Sequence, residues 1–213
     1  MTQNQSQPTN NREKIRILVL PSDKTGVGKF RSVDPHTSLQ NQYPDEFHVD
    51  IEYEPKIFDE SFWDKYQIVH IHRAIGSNYE HSVRIIENLN KKGIITILDI
   101  DDYWDPGAEH PLFSLVKTQK IDEKIRNNIR AAKYAMTTTS IFADEIKKLN
   151  KNVVVFPNAI DPDESQFKEP TLPSDRMRVG WLGGSSHYHD LMLLQESFMK
   201  FDDKDRKELQ FYI

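Results

Sequence analysis

Cysteine is absent from the 213-residue chain, and its absence excludes several kinds of chemistry. Without a thiol the chain has no cysteine nucleophile, no thiolate ligand for a metal ion and no disulfide bond. This composition fits a reducing compartment, so we expect a cytoplasmic location.

Long apolar runs and a positive net charge are lacking as well. No apolar run approaches the length of about 18 residues that a membrane-spanning helix needs, so the sequence predicts no transmembrane segment. Residues 1–13 are polar, lack the apolar centre of a secretion signal and are interpreted as a disordered tail. A formal net charge of −5 gives no overall attraction to nucleic acid, and no nucleic-acid partner is expected.

Short apolar runs alternate with segments of helical periodicity from Ile15 to Phe156. This alternation predicts an α/β domain with a Rossmann-like, doubly wound and mostly parallel sheet. Gly93 follows one amphipathic helix as its expected C-terminal cap, and Ser140 is expected to cap a later helix. About six strands are expected, in the runs IRILVL, FHVDIEY, IVHIH, IITILDI, MTTTS and NVVVF.

The composition changes after the last of these strands. We place the first domain at residues 14–157 and a proline-bearing interdomain linker at residues 158–175. Residues 176–213 show strand, glycine turn and helix, the start of a second α/β domain. Since a complete domain needs on the order of 100–150 residues, we expect this second domain to be truncated.

The stretch LPSDKTGVGKFRS follows the first strand and superficially resembles a phosphate-binding P-loop. When Gly28 and Lys29 are aligned with the glycine and lysine of the P-loop motif, Asp23 stands where the motif has its first glycine. Phe30 stands where the motif has the hydroxyl residue that binds magnesium. A P-loop is therefore disfavoured. Gly26 and Gly28 would still let backbone amides approach a phosphate or a sugar, and a tight turn without a ligand is the alternative.

Carboxylates cluster in ILDIDDYW, after the most strongly predicted strand. Ligands of open α/β sheets bind at the carboxyl ends of strands. Asp99 and Asp101 could serve as nucleophile and acid of a haloacid-dehalogenase-type phosphatase, or two of the acids could share a divalent ion. The carboxylates could equally order the following turn. Alternatively they could contact a sugar acceptor whose ring packs on an apolar surface formed by Tyr103 and Trp104.

The strand IVHIH ends in His70, His72 and Arg73. The two histidines point to the same face because side chains alternate along a strand. No third metal ligand is evident, so no metal site is predicted. His72 and Arg73 could bind a phosphate or stabilise the charge that develops on a sugar, whereas a hydrogen-bonded core histidine is the structural alternative.

A second glycine turn occurs in VGWLGGSSHYHDL. Gly183, Gly184 and Ser185 precede a helix expected to start near Asp190, and amides at such a turn suit a diphosphate. The G-x-G-x-x-G fingerprint is missing, so a nicotinamide cofactor is not supported.

Five stretches, taken in order, carry a resemblance to a known enzyme family. They are LVLPSDKTGVGKFRSVDPHTSL, IVHIHRAIG, ILDIDDYW, TTTSIFADEIKKLNKNVVVFPNAID and RVGWLGGSSHYHDL. Together the chain resembles the GT-B glycosyltransferases, of the group 1 or family-4-like set. The resemblance implies an N-terminal acceptor domain, a C-terminal donor domain and a reaction in the cleft between them.

The resemblance also implies partners and site residues. The co-substrate would be a nucleotide-diphosphate sugar, with no other cofactor and no essential metal, and the acceptor would be a glycan, lipid or protein, with peripheral membrane contact left open. The implied site comprises His72, Arg73 and Asp101 as catalytic residues, Gly26, Gly28, Gly183, Gly184 and Ser185 for the donor phosphates, and Lys29, Arg31, Asp102 and Trp104 for the acceptor.

Later donor-domain segments of that family, including its basic residues and a glutamate pair, have no counterpart in the sequence. We therefore expect the 213-residue chain to transfer no sugar on its own. The alternatives are the phosphatase that uses Asp99 and Asp101, and a non-catalytic binding module of the same fold.

Overall fold

The computed structural model describes residues 13–76, 79–170, 172–183 and 187–212. The chain divides into two units, one formed by residues 1–105 and 119–160 and the other by residues 106–118 and 161–213. The first unit thus extends past the expected boundary at Pro157 and leaves out residues 106–118. In the described ranges no helix has the length and hydropathy needed to cross a bilayer.

Six parallel strands form the sheet of the first unit, as the alternating pattern predicts. Their spatial order is β2-β1-β3-β4-β5-β6, which is that of a Rossmann-like α/β sheet. The strands are β1 (Ile15–Leu20), β2 (Phe47–Ile51), β3 (Ile68–His72), β4 (Ile95–Ile100), β5 (Tyr134–Thr137) and β6 (Val153–Val155).

Helices connect these strands. They are α1 (Gly26–Gly28), α2 (Asp34–Gln42), α3 (Glu60–Trp63), α4 (Tyr79–Lys91), α5 (Phe113–Thr118), α6 (Ile121–Ala131) and α7 (Ser140–Lys147), with a π-helical segment at Lys29–Val33. Gly93 has φ +82°, which confirms the predicted cap. The cap predicted at Ser140 is wrong by one residue: the Thr139 hydroxyl accepts the Phe142 amide at 3.2 Å, because Thr139 is extended while Ser140 is already helical.

One face of the sheet is apolar and carries the core. Thr96 of β4 binds Asn90 of α4 on this face, which fixes that helix against the sheet. Leu98 and Ile146 have no exposed surface, and Trp63 keeps only 4%. The fully buried sheet side chains Leu18, Val69, Ile71, Leu98 and Ala135 pack here against Ile86, Leu89, Ile129 and Ile146 of the helices.

The opposite face is polar where the first crossover covers it. His70 and His72 of β3 share this face with Asp99, since His72 is the register partner of Asp99. Arg31 and Ser32 of the π-helical segment are buried against it. Farther along, the apolar side chains of this face stay partly exposed, namely Ile95, Ile97, Tyr134, Met136 and Val154.

The segment from Gly26 to Gln42 is continuously helical, although the glycines favoured a loop. Pro35 stands in the first turn of α2 and has no amide hydrogen to donate. Between α1 and α2 the backbone widens into the π-helical turn Lys29–Val33. This turn brings Arg31 onto the sheet.

The second unit contains a two-stranded parallel sheet. Met177–Gly180 (β7) pairs with Leu209–Tyr212 (β8), and every residue of β7 is exposed. Between them lie α8 (Tyr188–Met192), α9 (Gln195–Phe198) and α10 (Asp203–Glu208). This is the predicted strand–helix–strand order. That the second unit is a truncated domain stays a prediction.

Candidate functional site

Polar side chains converge at the carboxyl edge of the six-stranded sheet. They follow three adjacent strands: Ser22 and Asp23 come after β1, Arg73 after β3 and Asp101 after β4. The carboxyl edge is where ligands of such sheets bind. The structure thus brings the predicted catalytic pair His72 and Arg73 together with Asp101, which lies 29 and 28 positions farther along the chain.

His72 links two carboxylates through a chain of hydrogen bonds. Its Nε2 atom lies 3.0 Å from Asp101 Oδ1, and its Nδ1 atom lies 2.7 Å from Ser22 Oγ. The Ser22 hydroxyl donates in turn to Asp23 Oδ2 at 2.7 Å. His72 has no exposed surface, so its ring holds Asp101 and Ser22 in place and does not itself face a ligand.

Asp101 is the focus of this edge. Its Oδ1 atom accepts Arg73 Nε at 3.0 Å and a terminal Arg73 nitrogen at 2.9 Å, besides the bond from His72. Burial alone would raise the pKa of Asp101, but the His72 hydrogen bond and the Arg73 charge hold it well below its usual range. Asp101 is therefore an ionised acceptor at neutral pH.

Arg73 adopts a left-handed backbone with φ +64°, which is rare for a residue with a side chain. The amide of Ala74 donates to the His72 carbonyl at 2.8 Å, closing a tight turn around Arg73. The turn aims the guanidinium at Asp101 and at Asp102, 2.5 Å away. Such strained conformations cluster at functional sites, and they persist where surrounding contacts impose them.

Arg31 and Asp99 form a buried ion pair beneath this edge. Arg31 Nε and a terminal nitrogen bind the two oxygens of Asp99 at 3.0 and 2.6 Å, and the side chains are 2% and 0% exposed. Burial raises the pKa of Asp99, against the opposing effect of Arg31. Arg31 also donates to the carbonyl of Phe156 at 2.6 Å and to Asn158 Oδ1 at 3.2 Å.

The first glycine turn is held by Asp23. Its Oδ1 atom accepts the amides of Thr25 at 2.8 Å and of Gly28 at 3.3 Å. Burial alone would raise the pKa of Asp23, but the bonds from Thr25, Ser22 and Gly28 lower it to about 2. The Gly28 amide, predicted to approach a phosphate, thus already has an anionic partner within the chain.

A cavity of about 300 Å³ opens beside Asp101 and Arg31. Its walls combine apolar surface, one carboxylate, one guanidinium and one side-chain amide, a set that suits a polyhydroxylated ligand. The lining residues are Gly26, Val27, Phe30, Arg31, Asp101, Asn158, Ala159 and Ile160.

The predicted acceptor residues differ in exposure and in their contacts. Trp104 is only 7% exposed and stacks on Phe142, so its ring packs in the interior and cannot serve as an open plate for a sugar. Lys29 is paired with Asp34. Arg31 lines the cavity, but its guanidinium already donates hydrogen bonds to Asp99, Phe156 and Asn158. Arg31 therefore forms part of the cavity wall.

The remaining residues predicted for the donor phosphates, Gly183, Gly184 and Ser185, belong to the second unit. Gly183 is exposed after β7, and an added Cβ would meet the Trp181 ring at 2.5 Å. Gly184 and Ser185 lie outside the described residues. The predicted phosphate contacts of this turn stay predictions.

His70 is buried beneath the first crossover and faces no cavity described above. It is 1% exposed, and its ring centroid lies 4.6 Å from that of His36. Burial lowers its pKa well below the usual value, so the ring is neutral. Across the described parts of the chain, no cluster of three or more His, Asp or Glu side chains suits a metal ion.

Sequence reasoning missed Ser22, Asp23 and Asn158. Ser22 and Asp23 closely follow β1 and stand just before Gly26 and Gly28, which are the stronger sequence signal. Asn158 was assigned to the linker. A search for polar residues one to three positions after each strand would have found all three.

Comparisons with known proteins do not identify the chain. No family model matches it, and no curated protein matches it. Among solved structures, a conserved protein from Enterococcus faecalis V583 aligns with 68% of this chain and 92% of its own at 13% identity. The TM-score is 0.28, and no argument rests on this likeness.

Proposed function

We propose that the chain contains the acceptor-binding part of a cytoplasmic glycosyltransferase that uses a nucleotide-diphosphate sugar. The observation that carries the proposal is Asp101, an ionised carboxylate that His72 and Arg73 hold beside a 300 Å³ cavity. Carboxylates and amides bind vicinal sugar hydroxyls, and the apolar walls suit the faces of a ring. The motif order that resembles GT-B enzymes supports the same assignment.

In this proposal each polar group has a distinct role. Asp101 accepts a hydrogen bond from the acceptor hydroxyl and orients it for attack. His72 is a positioning residue, because it is buried and acts through Asp101 and Ser22. Arg73 supplies positive charge for the leaving diphosphate.

The phosphatase alternative is less well supported by this geometry. A nucleophilic carboxylate has to reach the phosphorus atom of its substrate. Asp99 is 0% exposed, and both of its oxygens are bound to Arg31. Phosphate release from an aryl phosphate that is lost in Asp99→Asn would nevertheless favour this alternative.

The test combines saccharide binding by this chain with a nucleotide-release assay on the chain and, if it belongs to a longer polypeptide, on that polypeptide. Asp101→Asn should weaken binding of a glycan selected from an array by about tenfold or more, since a charge-assisted hydrogen bond contributes about 1.5–3 kcal/mol. Asp144→Asn is the matched control, because that side chain is 70% exposed on α7 and does not line the cavity. Nucleotide release from a panel of nucleotide sugars reports transfer.

Saccharide binding without nucleotide release from any donor would favour the non-catalytic binding module. If the folded protein binds no saccharide and the nucleotide-release assay detects no turnover of any nucleotide sugar, the proposal is wrong. Circular dichroism and thermal unfolding establish that each variant keeps the fold.

A further inference from the structure

We propose that a cavity at the amino edge of the six-stranded sheet binds a small anion that carries two or more phosphate groups. The cavity encloses about 470 Å³ where β4, β5 and β6 begin and where α4, α6 and α7 end. It shares no residue with the cavity beside Asp101, at the opposite edge, so this proposal does not depend on the proposed function. Its lining comprises Asn90, Gly93, Ile94, Ile95, Arg130, Ala131, Ala132, Lys133, Leu149, Asn150, Lys151 and Asn152.

The charged side chains that line this cavity are all cations. Arg130 stands in the last turn of α6, and Lys133 and Lys151 stand just before β5 and β6. The described lining residues include no carboxylate and no aromatic ring. All three cations are exposed, and none of them forms an ion pair with a carboxylate in the described part of the chain. Arg130 donates only to the Asn127 side chain, at 2.9 Å.

The sheet holds Lys133 and Lys151 side by side. Ala135 of β5 is the register partner of Val153 of β6, and each lysine lies two positions before its strand's member of that pair. Adjacent strands lie about 4.8 Å apart, and residues two apart point to the same face, which here carries α6 and α7. Like charges directly opposite one another destabilise a sheet. An anion bound between the two lysines would relieve this repulsion.

Four further cations surround the cavity, and each has a carboxylate as partner or neighbour. These are Lys91 with Glu87 four positions earlier on α4, Lys92 with Asp64 at 2.8 Å and Glu60 at 3.9 Å, Lys147 with Asp144 at 2.8 Å, and Lys148 with Glu145 at 2.6 Å. With all five carboxylates counted against all seven cations, this edge is still positive. The excess lies at the cavity, where the cations have no such partners.

Cations at helix ends are commonly explained by the helix dipole, which favours positive charge there. In this cavity, however, asparagine side chains already bind the carbonyls at the end of α6 and the start of β5. The bonds run from Asn90 to Ala131 at 2.8 Å, from Asn150 to Ile129 and Ala132 at 2.8 Å each, and from Asn152 to Lys133 at 3.0 Å. The carbonyls thus have amide donors, and the hydrogens of the three cations stay available to a ligand.

The available groups define the class of ligand. Arg130, Lys133 and Lys151 offer positive charge and donors only, so the ligand has to supply acceptors and at least two negative charges. Phosphate oxygens meet both requirements. The cavity volume falls within the range of about 300–1,000 Å³ that small-molecule sites have. A nucleic acid would need stacking rings, which the described lining does not provide.

The experiment is isothermal titration calorimetry with inorganic triphosphate, and with orthophosphate for comparison. Triphosphate should bind more tightly because it can reach all three cations, and its affinity should fall as salt is added. Lys133→Gln/Lys151→Gln should weaken triphosphate binding about tenfold or more. The matched control is Lys147→Gln/Lys148→Gln, which removes the same charge at the same edge from lysines that are already paired.

Thermal unfolding gives a second readout. Without ligand, Lys133→Gln should raise the melting temperature slightly, because it removes one of two adjacent like charges. Triphosphate should raise the melting temperature of the unaltered chain, because it binds the folded state. This ligand-dependent rise should be lost in Lys133→Gln/Lys151→Gln and kept in Lys147→Gln/Lys148→Gln.

Equal losses of affinity in the two double variants would show general attraction to the protein surface and would overturn the proposal. So would the absence of triphosphate binding at millimolar concentration, or binding that is unchanged in Lys133→Gln/Lys151→Gln. Orthophosphate binding as tight as that of triphosphate would contradict a multivalent site. A single-stranded oligonucleotide that binds more tightly than triphosphate would overturn the proposal in favour of a nucleic-acid surface.

Discussion

Arg31 and Asp99 are paired in the interior, where two charges are stable only together. Removing one partner leaves the other buried without its counter-charge, which costs about 3–5 kcal/mol. We therefore expect Arg31→Ala to lower the free energy of unfolding by that amount in urea denaturation. Asp99→Asn should lower it too, because the guanidinium keeps 2% exposure and loses its anionic acceptor.

The matched control is the nearby pair of Lys29 and Asp34, whose side chains are 38% and 31% exposed. Lys29→Ala should cost no more than about 1 kcal/mol, as exposed pairs do. Arg31→Met/Asp99→Leu should cost less than the two single changes to alanine and asparagine combined, since no charge is left unpaired. Similar costs for Arg31→Ala and Lys29→Ala would contradict the buried-pair account.

His70 gives the fold a pH dependence of definite sign. Burial and the nearby charges of Arg31 and the His36 and His72 rings lower its pKa, whereas the unfolded chain has the ordinary value of about 6.5. Below about pH 6.5 the unfolded state binds more protons, so the free energy of unfolding should fall from pH 7 toward pH 5.

His70→Phe should flatten this part of the urea-denaturation profile. His36→Phe tests the neighbouring ring, because burial also lowers the pKa of His36. The lowered pKa values of Asp23 and Asp101 act in another window, below about pH 4, where unfolded carboxylates become protonated. A profile for His70→Phe that is as steep as that of the unaltered chain between pH 5 and 7 would contradict the assignment.

At the scale of elements, the two glycines that open the first helix differ in their surroundings. A Cβ added at Gly28 would lie 2.0 Å from the Asp23 carbonyl oxygen, whereas one at Gly26 would meet only the Phe30 ring at 3.8 Å. Gly28→Ala should therefore destabilise by about 1–3 kcal/mol through a forced backbone shift. Gly26→Ala should be neutral or slightly stabilising, because alanine favours the helix.

Thermal unfolding of the two variants measures this difference. Equal melting temperatures would mean that the loop relaxes freely and that Asp23 does not fix it. Gly28 also shows why the sequence left two interpretations open: a glycine required for close packing against backbone has the same letter as one required for a phosphate.

The strands were predictable because each lies in a compact apolar run bounded by polar residues or glycine. IRILVL, IVHIH and IITILDI became β1, β3 and β4, almost residue for residue. The helix from Gly26 to Gln42 was not predictable from propensity, since two glycines and Pro35 argue against it. It forms because burial of Arg31 and Ser32 on the sheet outweighs those local preferences.

The candidate site was predictable only in part. His72, Arg73 and Asp101 end neighbouring parallel strands, and strand ends of one sheet meet at one edge. The pairing of Arg31 with Asp99 spans 68 positions and depends on how the π-helical turn sits on the sheet, which no local pattern encodes. Likewise nothing in the sequence distinguishes the buried Trp104 from an exposed one.

At the scale of the whole sheet, the two faces are unlike. The face that carries α4, α6 and α7 is covered at its centre, where Leu98 has no exposed surface. On the other face, Arg31 covers Asp99, while Ile95, Tyr134 and Val154 stay 39%, 37% and 51% exposed. Parallel sheets are normally covered on both faces, so this part of the surface is unusually apolar.

We expect this difference between the faces to appear in paired substitutions on one strand. Ile95→Lys should change the free energy of unfolding by less than about 1 kcal/mol, since the side chain is already partly solvated. Leu98→Ala, three residues along on the covered face, should cost about 2–5 kcal/mol because it leaves a cavity. Urea denaturation compares the two.

The same change should alter the surface. Ile95→Lys/Val154→Lys should lower the fluorescence of anilinonaphthalene sulfonate bound to the folded protein and reduce its self-association at high concentration, because both cations interrupt one apolar strip. A large loss of stability in Ile95→Lys would show instead that this face is buried in the folded protein. Dye binding unchanged from the unaltered chain would place the dominant apolar surface elsewhere, with the exposed Phe58 as the first residue to substitute.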